Sequence, residues 1–477
     1  MIGSSAIMAW IIKPLRLFER ITAVMNIIIM GCGKIGTTIL EALVSEGHDV
    51  VAIDSDPEVI KAVTSTSDVI GVCGNGVDCL TLDEAGIQKA DIFVAATGSD
   101  EINMLGCFIA GKLGEVKTIA RIRNPEYNDK SLGFLRQQLG LSMAINPEKL
   151  AARELFDILK LPSVVKIEAF AGRSFEMIEL ILHGDSALCG LSLSELRNRY
   201  SESFLVCVVQ RNGEVYIPDG NFVLRDGDKI GLTASPAEIQ NLLRDMGILR
   251  KKSQHVMILG ASRTAYYLAR MLIGIGVSVK IIDKDKTRCE EMCVKLPKAQ
   301  VVCGDGAEQE LLLEEGIRSM DAFVSLTGID EENILFSFFA ASQTVPTVIS
   351  KVNRTEFAQL AAKLGLDCIV SPKKAMSNVL VRYARALENT SGSNVETLYK
   401  LMDSSAEAAE FIAHEGSRGI GIALRDLRLR RGVLVAGIIR DRKPIIPTGD
   451  DMILDGDRVV VIASGMCLRD LSDIFEK

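Results

Sequence analysis

Short apolar bursts bracketed by polar residues set the rhythm of this chain. "NIIIM" at 26–30, "DVVAI" at 49–53 and "DIFVAA" at 91–96 are echoed much later by "VMILG", "VKIID" and "DAFVSL". Runs of this length with little internal alternation are how strands buried on both faces read, because a parallel sheet covered by helices on each side has no wet face. The intervening segments have helical spacing, so strand and helix are predicted to alternate in turn. The fold class is α/β, built on doubly wound parallel sheets.

The whole pattern occurs twice. "VVAIDSDPE" returns as "VKIIDKDKT", "VCGNGVD" as "VCGDGAE", "AGIQKADIFVAATGSDEIN" as "EGIRSMDAFVSLTGIDEEN" and "INPEK" as "VSPKK". A smaller unit follows each copy: "CGLSLSEL" is answered by "IGIALRDL", and "VVQRNGEVYIPDGNFVLRDGDKI" by "IIRDRKPIIPTGDDMILDGDRVV". These smaller units show short alternating stretches and a D-G-D turn at Asp226–Asp228 and at Asp455–Asp457, which marks them as α+β lobes. The expected order is an N-terminal extension at 1–25, a Rossmann-like domain at 26–150, a small lobe at 163–245, a second Rossmann-like domain at 254–378 and a second small lobe at 395–477. The polar stretches "LRKKSQ" and "ENTSGSN" read as linkers. In the extension an apolar run is broken by Lys13 and Pro14, which argues against a signal peptide. The plainest expectation is initiation at Met25; an amphipathic membrane-surface segment is the sharper one.

Composition narrows the classes. With 477 residues the chain has room for several cores, and a net charge of −8 lacks the basic footprint of a nucleic-acid binder. A hydrophobic share of 48% and a mean hydropathy of +0.23 raise the question of a membrane protein, but no uncharged run approaches it. A bilayer span needs about 18 residues. The 11 cysteines are odd in number and contain no CxxC pair, as expected of reduced, mostly buried thiols. Cys289 and Cys293 in "CEEMC" share a helical face, yet the histidines fall at no ligand spacing, so no metal site is expected.

The chemistry concentrates at "MGCGKIG", residues 30–36, set between a predicted strand and helix. Gly31 allows the tight turn, Gly33 lets the backbone approach a pyrophosphate, and Gly36 lets helix and strand pack closely. Backbone N–H groups along Gly31, Cys32, Gly33, Lys34, Ile35 and Gly36, helped by the helix dipole, favour an anion there. Asp54, at the end of the second strand, would accept hydrogen bonds from an adenosine ribose with a free 2′-hydroxyl, since a 2′-phosphate would be repelled. Gly74 and Asn75 in "CGNG", Thr97 and Gly98 in "TGSDEIN", and Arg121 and Arg123 in "ARIRNPEYN" end the following strands, with Ser99 a candidate helix cap. The two arginines are open to three readings: phosphate ligands, contacts to a neighbouring subunit, or surface ion pairs. The second copy keeps Gly260 and Asp283 but has Ser262 and Ala265 in place of the later glycines. Weakened or altered binding is expected there, with Arg263 supplying charge; a retained fold without ligand is the alternative. Lys351 and Arg354 fall near the place of the first copy's arginines. The four arginines of "RDLRLRRG" at 425–432 are a contact for an acidic or membrane partner or a solvated face.

A nicotinamide dehydrogenase needs a general acid or base beside the hydride, and no shared ionisable position supplies one. Duplication of a binding module without a catalytic partner argues for sensing. An NAD-dependent oxidoreductase with an unrecognised active site is the alternative, and a transporter-attached domain sensing ions or small ligands near Cys189–Leu196 is a third reading.

"MNIIIMGCGKIG", "VVAIDSD", "CGNGVD", "ATGSDEINML" and "ARIRNPEY", in this order, carry a resemblance that extends over 26–477. The chain resembles the TrkA family, cytosolic regulatory subunits of bacterial Trk-type potassium uptake systems built from two RCK-type units. The resemblance implies a non-enzymatic, cytoplasmic protein, peripheral on the inner face of the cell membrane. It further implies a homo-oligomeric ring, a tetramer with eight large lobes, beneath an integral membrane potassium-translocating subunit. NAD(H) or ATP/ADP bound at Gly31, Gly33, Gly36, Asp54 and the strand-end loops would then gate that subunit.

Overall fold

A computed structural model of the chain describes residues 24–476 apart from 128, 161–164, 171–173, 183–185, 202, 247–252, 367, 390–394, 403–404, 416, 467 and 469. The extension up to residue 23 and most of both expected linkers lie outside the described residues.

The first large lobe is built on six parallel strands, Asn26–Met30, Asp49–Asp54, Ile70–Cys73, Ile92–Ala95, Lys117–Arg121 and Met143–Ile145, in the spatial order 3-2-1-4-5-6. Ile28 lies beside Val51 on one side and Phe93 on the other. Ile27, Ile28 and Ile29 are all buried, which is why the strand shows no polar alternation: helices cover both faces. Strand order reverses between the first and fourth strands, and outside the carboxyl ends of such strands is where open α/β sheets take their ligands. His255–Leu259, Ser278–Asp283, Gln300–Cys303, Ala322–Ser325, Thr347–Lys351 and Cys368–Val370 repeat this sheet in the same order.

Each small lobe is a five-stranded antiparallel sheet. The first carries two helices, Leu193–Arg199 and Pro236–Asp245, each started by a serine capping box at Ser192 and Ser235. The second has short 3₁₀ turns at Leu424–Asp426 and Leu471–Ile474 instead. The two sheets meet face to face through Phe170, Phe175, Met177, Leu401, Ala408 and Ile462. Polar ties reinforce this contact: the Tyr399 hydroxyl donates to the Ala169 carbonyl at 2.6 Å and the Met402 N–H to the Glu179 carboxylate at 3.1 Å.

The large lobes exchange helices. Helix Pro147–Lys160, which follows the first sheet, buries Ala151, Ala152, Leu155 and Leu159 in the core of the second large lobe. Helix Pro372–Asn389, which follows the second sheet, buries Met376, Leu380, Val381 and Ala384 against the first. The i, i+4 spacing of these residues gives each helix one apolar stripe, and full burial of a large aliphatic side chain stabilises by roughly 1.5–3 kcal/mol. Each large lobe therefore completes its core with the other's helix. The expected first domain boundary at 150 falls inside helix Pro147–Lys160. Arg385 on the second exchanged helix bridges Glu46 and Glu407, and Lys400 reaches Glu46 at 2.7 Å. Burial alone would raise the Glu46 pKa, but these cations outweigh it and hold the carboxyl below its usual range.

Candidate nucleotide-binding site

The first cradle is a turn running directly into helix Lys34–Ser45. Gly31 has φ +90°, and a Cβ on it would lie 2.8 Å from the Thr97 backbone nitrogen, so only glycine fits. A Cβ on Gly36 would come within 1.9 Å of the Gly31 carbonyl oxygen, the close packing expected of the third glycine. Gly33 differs from both. It is the N-cap with φ −67° and ψ −173°, which any residue can adopt, and a Cβ there would meet no described atom within 4 Å. No side chain among the described residues caps this helix. Its first backbone bond runs from the Thr37 N–H to the Gly33 carbonyl, so the N–H groups of Gly33 to Gly36 have no acceptor inside the helix. The geometry is that of an anion site.

Asp54 has a task that the spacing did not reveal. Its Oδ2 accepts the Cys32 N–H at 2.8 Å and its Oδ1 the Asp56 N–H at 3.0 Å, so the carboxylate braces the glycine turn. Each oxygen keeps a further lone pair for a hydroxyl. Burial, and then the Asp54 charge, push the Cys32 thiol up to about 12, so it stays protonated. The Gly74 N–H donates to the Asp54 carbonyl at 2.9 Å, and Asn75 shapes the next turn by accepting the Val77 N–H at 3.3 Å.

The far side of the crevice is clamped by Asn103. Its Oδ1 accepts from the Thr97 N–H at 2.8 Å and hydroxyl at 2.7 Å, while Nδ2 donates to the Arg121 carbonyl at 2.9 Å. Ser99 caps the helix Asp100–Leu113 by accepting the Ile102 N–H at 3.2 Å. Gly98, like Gly33, has no described atom within 4 Å of a built Cβ. Arg121 is buried beneath this loop and donates to the Thr97 carbonyl at 3.1 Å; its Nε has no partner among the described residues. Burial, then Arg123, lower its pKa, and Arg263 of the second large lobe adds to the same effect. The exchanged helices bring Arg263 there: the Tyr267 hydroxyl accepts from Asn146 Nδ2 at 3.1 Å. Ile35 packs into the first core, and Lys34 lies near enough to Lys373 to lower that lysine's pKa, after burial. Gly31 to Gly36, Asp54, Gly74, Thr97 and Gly98 are thus assembled around one crevice, with Arg121 beneath it.

In the second cradle Gly260 keeps the left-handed turn, with φ +100°. Asp283 accepts the Ala261 N–H at 2.6 Å and the Asp285 N–H at 2.8 Å, the same brace. The helix start departs. Ser262 is the N-cap, and its hydroxyl accepts the Ala265 N–H at 3.3 Å, a donor whose counterpart in the first cradle has no acceptor among the described residues. Lys351 takes the position of Arg121, with its pKa lowered by burial.

Among the described residues no three His, Cys, Asp or Glu side chains gather to hold a metal, and no helix is long and apolar enough to cross a membrane.

Two Rossmann-like folds joined by exchanged helices, each followed by a small antiparallel lobe, define a tandem two-unit module with a glycine turn at the head of each large lobe. The TrkA-N domain model matches residues 27–147 and 256–372, and the TrkA-C domain model matches 177–247 and 408–475. The Trk system potassium uptake protein TrkA homolog 1 of Methanosarcina mazei is 32% identical over 95% of this chain and 100% of its own. The Trk system potassium uptake protein TrkA of Haemophilus influenzae is 30% identical over 92% of this chain and 96% of its own. The chain belongs to the TrkA family. Among solved structures, the GsuK channel bound to NAD aligns with a TM-score of 0.61 at 18% identity, covering 93% of this chain and 77% of that one. The GsuK RCK domain aligns at 0.62, also at 18% identity, covering 93% of both chains. At that identity the likeness is one of fold.

Proposed function

We propose that this protein is the nucleotide-sensing regulatory subunit of a Trk-type potassium uptake system. NAD(H), or ATP or ADP, binds the first cradle, and binding gates an integral membrane potassium-translocating subunit. The chain sits on the cytoplasmic face of that subunit as a homo-oligomeric ring, a tetramer, and carries out no chemistry on the nucleotide. The observation that carries this reading is the Gly33 helix start, where no described atom lies near the Cβ position and no described side chain caps the helix. Backbone donors along Gly31, Cys32, Gly33, Lys34, Ile35 and Gly36 hold the diphosphate. The spare lone pairs of Asp54 take the ribose hydroxyls, Gly74, Asn75, Thr97 and Gly98 wall the crevice, and Arg121 adds positive charge beneath it. Gly260 and Asp283 offer a second, weaker cradle. Membership of the TrkA family and the like fold of the NAD-bound GsuK channel support the assignment. The Cys32 thiol, held protonated, is no nucleophile, which fits a sensor.

Coupling of about 1–3 kcal/mol per site is enough, because several equivalent sites in one ring together reach the roughly 5.5 kcal/mol that moves an equilibrium from 1:99 to 99:1. The test is to titrate NADH, NAD, ATP and ADP calorimetrically into the full chain and to measure potassium flux in vesicles containing the membrane subunit. Saturable binding with a nucleotide-dependent change in flux is expected. Absence of binding by all four would remove the proposal, and steady NADH consumption with a candidate substrate would replace it with an oxidoreductase.

A further inference from the structure

We propose that Cys289 and Cys303 are a paired dithiol which low-molecular-weight disulfides oxidise to an intramolecular disulfide, a modification site confined to the second large lobe. Cys303 ends the strand Gln300–Cys303, in register beside Asp283 of the neighbouring strand, and is exposed. Cys289 stands one turn into the helix Lys286–Lys295 and is buried. Its thiol donates to the Asp283 carbonyl at 3.2 Å and lies 3.8 Å from the Val302 carbonyl, so its sulfur sits over the last peptides of both strands. Val301, two residues before Cys303 and so on the same face of the strand, packs with Met292 of this helix, so Cys303 faces the helix that carries Cys289. The first copy has Ile60 and Cys73 at the matching places, and the Cys73 thiol contacts the Ser55 carbonyl at 3.9 Å. The pair is therefore not repeated at these places in the first copy, and it stands beside the carboxylate that braces the second cradle.

The chemistry runs in two balanced steps. The exposed Cys303, as thiolate, attacks one sulfur of a disulfide such as oxidised glutathione, forming a mixed disulfide and releasing one glutathione thiolate. Cys289 then gives up its proton to solvent and attacks the Cys303 sulfur; the protein disulfide forms and the second glutathione leaves. Two protein thiols are oxidised and one external disulfide is reduced to two thiols. The order follows from environment: burial, then the neighbouring Cys303, push Cys289 up to about 11, so it is the resolving partner rather than the first nucleophile.

The experiment uses the full chain, reduced and then incubated with oxidised glutathione under native conditions, with non-reducing peptide mapping by mass spectrometry. The expected product is a peptide linking Cys289 to Cys303, two hydrogens lighter than the reduced pair and restored by dithiothreitol. Cys289→Ser is expected to trap glutathione on Cys303, and Cys303→Ser to leave Cys289 unmodified. A stable glutathione adduct on Cys303 in the unaltered chain with Cys289 still reduced would overturn the proposal, as would a Cys293–Cys303 link in place of the expected one.

Discussion

The two cradles of this molecule agree in everything that holds a loop together and disagree where a ligand would be held. Both brace the turn with a carboxylate, Asp54 on the Cys32 N–H and Asp283 on the Ala261 N–H. Both clamp the fourth and fifth strands with an asparagine: Asn333 accepts the Thr327 N–H at 2.8 Å and donates to the Lys351 carbonyl at 2.9 Å, repeating Asn103. Both bury an aspartate that takes two backbone N–H groups, Asp100 from Arg123 and Asn124 and Asp330 from Asn353 and Arg354. The difference lies at the helix start, where Gly33 leaves the donors unshared and Ser262 uses one of them itself. A retained aspartate is thus accounted for by the turn it braces, with or without a nucleotide. The residue at the helix N-cap is the better witness.

The largest effect should come from breaking that difference directly. A Cβ at position 33 meets no described atom within 4 Å and needs no unusual backbone, and Asp is a good N-cap, so Gly33→Asp should keep the fold while a negative charge enters the phosphate position. Nucleotide affinity is expected to fall about 100-fold or more, roughly 2.7 kcal/mol, in calorimetry. Ser262→Asp should change the affinity of the first site little, since Asp is itself a good N-cap. The reverse ranking would show that the second cradle is the sensor. Next in size is stability. Gly36→Ala forces a methyl against the Gly31 carbonyl and should cost about 1–3 kcal/mol, read from denaturant midpoints. Ala265→Gly should cost only about 0.5–1 kcal/mol, the ordinary price of glycine in a helix.

The duplicated order, the parallel sheets and the glycine turn were legible because each rests on local pattern: apolar runs, punctuation and a nearly constant displacement between copies. Asp54 and Asp283 were found by position, but their bracing role depends on where the turn's own N–H groups point, which spacing does not encode. The exchange of helices was not legible at all. The apolar stripe of residues 151–159 states that the helix must be covered, and its own sheet and its neighbour's satisfy that demand equally well. With that exchange, the proximity of Arg263 to Arg121 and the Arg385–Glu46 bridge were also hidden.

A smaller effect tests the N-cap itself. Ser262→Ala loses the hydroxyl that caps the helix and should destabilise the chain by about 1 kcal/mol, whereas Ser262→Gly should cost a few tenths. Because Gly also releases the Ala265 N–H, Ser262→Gly should strengthen nucleotide binding at the second cradle; an unchanged stoichiometry and affinity would mean that Ala265 or Lys351, not the serine, closes it.

A last comparison separates the exchanged helices rather than the cradles. At matching places on their stripes stand Glu154 and Val379, both lining a cavity of about 210 Å³ with Lys166, Glu168, Tyr399 and Lys400. Burial raises the Glu154 pKa to about 7; the Lys166 and Lys374 charges oppose this, and Glu168 and Glu179 reinforce it. The folded value lies above the ordinary 4.5, so the folded state holds the extra proton. That contribution is fully present below about 4.5 and is lost as pH rises through about 7. Glu154→Gln, always neutral, should flatten this part of the stability profile and make the chain more stable than the unaltered protein at pH 8, measured by denaturant unfolding across that window. Val379→Gln should shift stability equally at every pH. If Glu154→Gln left the slope unchanged, the carboxylate would be solvated and the two helices electrostatically alike.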